Sequence, residues 1–212
     1  MKNMVDSRIL LLRGVYFFST TSASSIVRFL IVYLNQYFSA DQLGLLIGVR
    51  KILSFFSAFF WGFIADCLDK RLLILILGAV SSVILTNGLI FQIIYSSFWY
   101  TFGLLCVVTF LGSTTSLLDA IILQILINKD GSKAYGPSRM WGAIGWGIGA
   151  VICGSLVTYF GSNFLFWFYD SGQLIVLSQL ICCFPCAINK AKQANGTVLI
   201  NDRNAGTEIN DG

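Results

Sequence analysis

The run LGLLIGVRKILSFFSAFFWGFIA, residues 43–65, decides the fold. A helix needs about 20 residues to cross the hydrocarbon of a bilayer. This one is long enough and carries only two charges, Arg50 and Lys51. Behind it comes DCLDKR, residues 66–71, where acids and bases crowd into a connection. Working outward, the same alternation of apolar run and polar break recurs along the chain. Spans are predicted at about 14–34, 43–65, 72–95, 99–127, 139–160 and 164–188. The breaks hold Asn35, Gln36 and Asp41, then residues 66–71, Ser96 and Ser97, residues 128–137, and finally Gly161, Ser162 and Asn163.

Composition agrees. Hydrophobic residues make up 56% of the 212 and charged residues 11%, against about 25% charged in ordinary soluble domains. The lipid bilayer must be the solvent for most of this chain. The expected architecture is an all-α, polytopic membrane protein built as a bundle of six transmembrane helices. Tyr33, Tyr37, Trp61, Tyr95, Trp99, Tyr100, Tyr159 and Trp167 fall near segment ends, as interfacial belts require. The first apolar run is too long for a signal-peptide core and lacks a small-residue cleavage site, so it reads as a spanning helix.

Several functions are excluded on composition. The net charge of +4 sits in short clusters between apolar runs, a topology signal and not a nucleic-acid surface. Histidine is absent, so no imidazole relays protons or binds a metal. No nucleophile motif or pair of loop carboxylates marks an enzyme, and no cofactor is implied. Cys67, Cys106, Cys153, Cys182, Cys183 and Cys186 lack zinc-like pairing and read as reduced thiols.

Orientation follows from the bases. Lys2, Arg8 and Arg13 precede the first span; Lys70 and Arg71 follow the second; Lys129, Lys133 and Arg139 follow the fourth. Lys190, Lys192 and Arg203 follow the sixth, and the remaining connections have no Lys or Arg. The positive-inside rule then puts both termini in the cytosol. Residues 1–13 become a cytosolic arm, 14–188 the bundle, and 189–212 a disordered cytosolic tail rich in Asn, Gly and Asp. Three helices per half make an inverted repeat geometrically permissible.

Charges inside apolar runs are the candidate functional residues. Each costs about 2.5–3.5 kcal/mol at a helix centre on insertion scales, so it faces a partner or a cavity. Counting at about 1.5 Å per residue, Arg28, Arg50 and Asp170 all lie roughly 10 Å below the outer surface. Asp170 is therefore expected to offset one of the two arginines, while Lys51 snorkels to the interface. Asp119 and Arg139 form a second group toward the inner side. Arg139, Gly142, Trp146, Gly149 and Cys153 recur at helical spacing and share one face. A carboxylate and a guanidinium can bind hydroxyls, and an indole can stack on a ring. A titrating Asp119 would couple solute to protons. The competing reading is a purely structural Asp119–Arg139 pair. Gly145-xxx-Gly149 and Gly44-xxx-Gly48 are spaced for close helix packing.

Two stretches are familiar. Trp61-Gly62-Phe63-Ile64-Ala65-Asp66-Cys67-Leu68-Asp69-Lys70-Arg71 resembles the signature loop of the major facilitator superfamily, with Cys67 and Asp69 departing from its basic and glycine positions. Tyr135-Gly136-Pro137-Ser138-Arg139-Met140-Trp141-Gly142-Ala143-Ile144-Gly145-Trp146-Gly147 resembles the start of helix 5 in the lactose-permease and nucleoside-proton-symporter branch. That branch includes the members similar to major facilitator superfamily domain-containing protein 6. Pro137 replaces a usual arginine there. The resemblance implies that Arg139 binds solute hydroxyls, Trp146 stacks on a solute ring, and Asp119 is the partner carboxylate. It implies that Gly62, Asp66, Lys70 and Arg71 form a conformational loop. It covers about residues 14–188, the N-terminal half of a 12-helix transporter, and so implies a second six-helix bundle as partner. The expected activity is secondary active transport of a small polar solute, a sugar or a nucleoside, coupled to protons. The alternative is a non-transporting membrane fragment or interaction partner.

Overall fold

The computed structural model describes residues 2–68, 70–90, 97–112, 115–126, 131–182 and 184. Its elements are α1 (Lys2–Leu34), α2 (Ala40–Leu68), α3 (Arg71–Asn87, running into a 3₁₀ turn at Gly88–Ile90), α4 (Phe98–Gly112), α5 (Thr115–Leu126), α6 (Gly131–Phe160) and α7 (Phe164–Cys182). Among the described residues six spans are long and apolar enough to cross a membrane, with α4 and α5 together supplying the fourth, Phe98–Leu123. The all-α, six-span bundle expected from the sequence is what folds. Tyr95, Lys129, Cys183, Cys186 and the tail at 189–212 lie outside the described residues.

Large apolar side chains point outward, the inverse of a soluble protein. Phe55, Phe59 and Phe63, spaced at one helical turn, are 71%, 78% and 66% exposed on α2. That outward stripe is what hydrocarbon solvates well and water does not. Inside, two apolar clusters fill the bundle. One, at the end carrying Arg13, Lys70 and Arg71, centres on Leu12, Leu75, Leu117 and Ile122. The other centres on Leu30, Leu46, Leu105 and Phe166.

The tightest seam joins α1 to α6, and it is built from small residues. Along α1 runs STTSASS, residues 19–25, and opposite it α6 presents Gly142, Gly145 and Gly149. A Cβ on Gly145 would stand 2.5 Å from the Phe17 carbonyl oxygen, and one on Gly149 would stand 2.5 Å from Ser24 Oγ. Thr20 Oγ1 donates to the Gly142 carbonyl at 2.7 Å and Thr21 Oγ1 to the Gly145 carbonyl at 3.0 Å. Without a hydrophobic drive in lipid, such close approach and interhelical hydrogen bonding hold helices together. The Gly145-xxx-Gly149 packing expected from the sequence is present. Gly44 and Gly48, with the same spacing on α2, have nothing within 4 Å of where a Cβ would stand, so among the described residues they pack against nothing.

Three boundaries differ from the sequence reading. Helix α1 begins at Lys2, so residues 2–13 continue the first span as helix. Helix α6 begins at Gly131 and carries Pro137 within it. Proline ends most helices by clashing with the preceding turn and removing a hydrogen bond; here it falls in the second turn, where little helix precedes it. Helix α3 gives way at Asn87 to the 3₁₀ turn Gly88–Ile90, and the rest of the predicted span, 91–95, lies outside the described residues. The turn into α7 uses Gly161 at φ 93°, a left-handed conformation suited to glycine after a helix end.

Two of the expected belt aromatics serve the interior instead. Tyr33 is buried and meets Phe166 edge-on at 5.5 Å. Trp61 Nε1 donates to the Phe110 carbonyl at 2.7 Å, where Ser57 also donates, so it ties α2 to α4. Tyr37, Trp99, Tyr100, Tyr159 and Trp167 are exposed, as a belt needs.

Candidate functional site

Three helices meet at Asp119. The Tyr16 hydroxyl on α1 donates to Asp119 Oδ1 at 2.5 Å. Arg139 Nη2 on α6 lies 3.5 Å from Asp119 Oδ2. The two carboxylate oxygens are thus divided between a close phenol and a looser guanidinium. The Arg139 side chain is 63% exposed and Asp119 28%, so the guanidinium keeps donors free for another oxygen. The α1–α6 seam sets this geometry: glycine at 142 and 145 lets α1 approach, which brings Tyr16 and Arg139 to the same carboxylate from two sides.

Trp146 lies two turns along α6 from Arg139, about 10 Å by helical rise and only about 20° around the axis. It does not join the Asp119 cluster. Arg28 stands over its indole, with Cζ 5.7 Å from the ring centroid. An indole face attracts a cation, more strongly where water is scarce. One of the two outer arginines is therefore met by an aromatic ring.

The expected pairing of Asp170 with Arg28 or Arg50 does not form. Asn87 Nδ2 donates to both Asp170 oxygens, at 3.0 and 2.9 Å, and so joins α3 to α7. The depth count placed the three charges at one level but said nothing of their angular position around the bundle. Arg50 instead donates from Nε to Thr109 Oγ1 at 3.0 Å, bridging α2 to α4.

At the connection after α2, Arg71 forms an ion pair with Asp66 at 2.8 Å and donates from Nε to the same oxygen at 2.9 Å. Lys70 precedes α3 with a non-helical backbone and is exposed. Gly62 faces open space one turn earlier on α2. Cys67, Cys106, Cys153 and Cys182 are free thiols. Among the described residues no group of three His, Cys, Asp or Glu side chains could hold a metal.

Sequence reasoning missed Tyr16, Asn87 and Thr109. Asn87 carried a usable signal, being a lone carboxamide at the end of the apolar run 72–86. Tyr16 carried none, since tyrosine near a span end reads first as an interfacial residue.

The sequence profile of the MFS_1 like family matches residues 9–211. The chain belongs to that family. It is similar to the uncharacterized transporter YwbF of Bacillus subtilis (strain 168), with 28% identity over 148 residues. The match takes up 68% of this chain and 36% of YwbF, so it spans about a third of that relative's length. Family and fold together make this an integral membrane protein of the major facilitator superfamily, whose members in this comparison include a transporter.

Proposed function

We propose that this MFS_1-like chain takes part in secondary active transport of a small polar solute, as one of two six-helix bundles. The observation that carries this is the Asp119 carboxylate inside the fourth span, shared by Tyr16 and a largely exposed Arg139. A charge kept at that depth is retained for use. In this reading Arg139 exchanges Asp119 for solute hydroxyls, and Asp119 takes up or releases the coupling proton. Trp146 supplies an apolar face for a sugar or nucleoside ring once Arg28 moves off it. Both termini face the cytosol. Asp66, Lys70 and Arg71, beside Gly62, form a latch that opens when the bundles rock.

The test is flux. The chain is reconstituted in liposomes, alone and co-expressed with the family's complementary bundle, and uptake of radiolabelled lactose and uridine is followed with and without an inward proton gradient. Gradient-dependent uptake that falls at least tenfold in Arg139→Ala, with helicity unchanged by circular dichroism, is the expected result. Uptake indifferent to Arg139 would sink the assignment.

A further inference from the structure

A cavity of about 340 Å³ lies inside the bundle, between α1, α2, α3, the α4–α5 span and α7. No described residue of α6 lines it, so it is distinct from the Arg139 and Trp146 region. Asp119 does not line it either; its neighbour Leu118 does. The volume falls within the roughly 300–1,000 Å³ of small-molecule sites.

The charge of the lining is one-sided. Arg50 and Lys51 both contribute, and none of the described lining residues is acidic. Ser19, Thr86 and Gln173 add polar groups, and most of the remainder is aliphatic. Arg50 is half-buried, and Thr109 holds its Nε. That bond fixes the guanidinium plane while the two Nη groups stay outside it. Among the described residues neither Arg50 nor Lys51 forms an ion pair. The interior acids Asp119 and Asp170 are engaged elsewhere, Asp119 by Tyr16 and Arg139 and Asp170 by Asn87. A guanidinium inside a membrane bundle is expensive without a counter-charge, and its planar fork matches a carboxylate.

We infer that this cavity is a binding site for a small organic anion, with the carboxylate on Arg50, Lys51 as a second positive charge, and an apolar body against the aliphatic wall. Two neighbouring cations raise affinity for a single anionic head, and the mostly apolar lining favours a monocarboxylate with a hydrocarbon or aromatic body over inorganic ions.

The test uses the full chain in phosphatidylcholine nanodiscs, with benzoate and phenylacetate as probes and benzamide as the uncharged shape match. Equilibrium binding and thermal unfolding are both read. Saturable binding of at least one carboxylate, a raised Tm, and no effect of benzamide are expected. Arg50→Gln should weaken carboxylate binding at least tenfold and Lys51→Gln less. Arg50→Lys, which keeps the charge and loses the fork, should fall between wild type and Arg50→Gln, and it serves if the glutamine variant does not fold. Equal binding of benzamide, carboxylate binding unchanged in both Arg50 variants, or no binding of either carboxylate at millimolar concentration would overturn the inference. So would loss of carboxylate binding when phosphatidylglycerol is added to the nanodisc, which would assign Arg50 to a lipid headgroup.

Discussion

Gly145-xxx-Gly149 on α6 and Gly44-xxx-Gly48 on α2 are the same motif with opposite fates. The first lies so close to α1 that added methyl carbons would meet Phe17 O, Thr21 O and Ser24 Oγ at 2.5–2.6 Å. The second faces open space. What differs is the partner. Opposite the first pair α1 offers a run of seven small residues, 19–25, and the hydroxyls of Thr20 and Thr21 reach the carbonyls of Gly142 and Gly145. Nothing among the described residues offers the same to α2. Small residues on one helix permit approach; matching small and hydroxylated residues on the other produce it.

That contrast can be broken by substitution. Gly145→Leu should be the most damaging change, because the Cβ meets backbone that cannot move without carrying α1 along. A loss of about 3 kcal/mol or more is expected, read as a large fall in Tm in detergent micelles. Thr21→Val keeps the shape and removes only the hydrogen bond to the Gly145 carbonyl. Bonds of this kind between membrane helices average about 0.6 kcal/mol, so a small, measurable drop in Tm should follow. Gly48→Leu should be the mildest, within about 1 kcal/mol and on the stabilising side, because glycine is a poor helix former. A Gly48→Leu variant as unstable as Gly145→Leu would show that the α2 glycines are covered after all.

The spans were legible in the sequence because hydrocarbon imposes a length and an apolarity that few residues can evade. Residues 43–65 announce themselves, and α2 is there. The α1–α6 seam was half legible: the α6 glycines stood out, while the facing 19–25 run did not, since serine and threonine in a span have several uses. The pairing of interior charges was least legible. Residue counting gives height along a helix, and height put Asp170 level with Arg28 and Arg50. Azimuth depends on how six helices settle around one another, and it took Asp170 to Asn87, Arg28 to Trp146, and Arg50 to Thr109. Asp119 and Arg139 met as expected, joined by a tyrosine from α1.

Helix α1 is gripped on its other flank too: a methyl on Gly172 of α7 would stand 2.5 Å from Ser22 Cβ, and Gln173 Nε2 reaches Ser22 Oγ at 3.1 Å. Wedged from both sides, α1, α6 and α7 have no slack with which to slide past one another, so they form a keel. Any shape change inside this bundle then falls on the helices outside that keel, α2 among them. Spin labels on α1 and α7 would then keep their separation while labels on α1 and α2 do not.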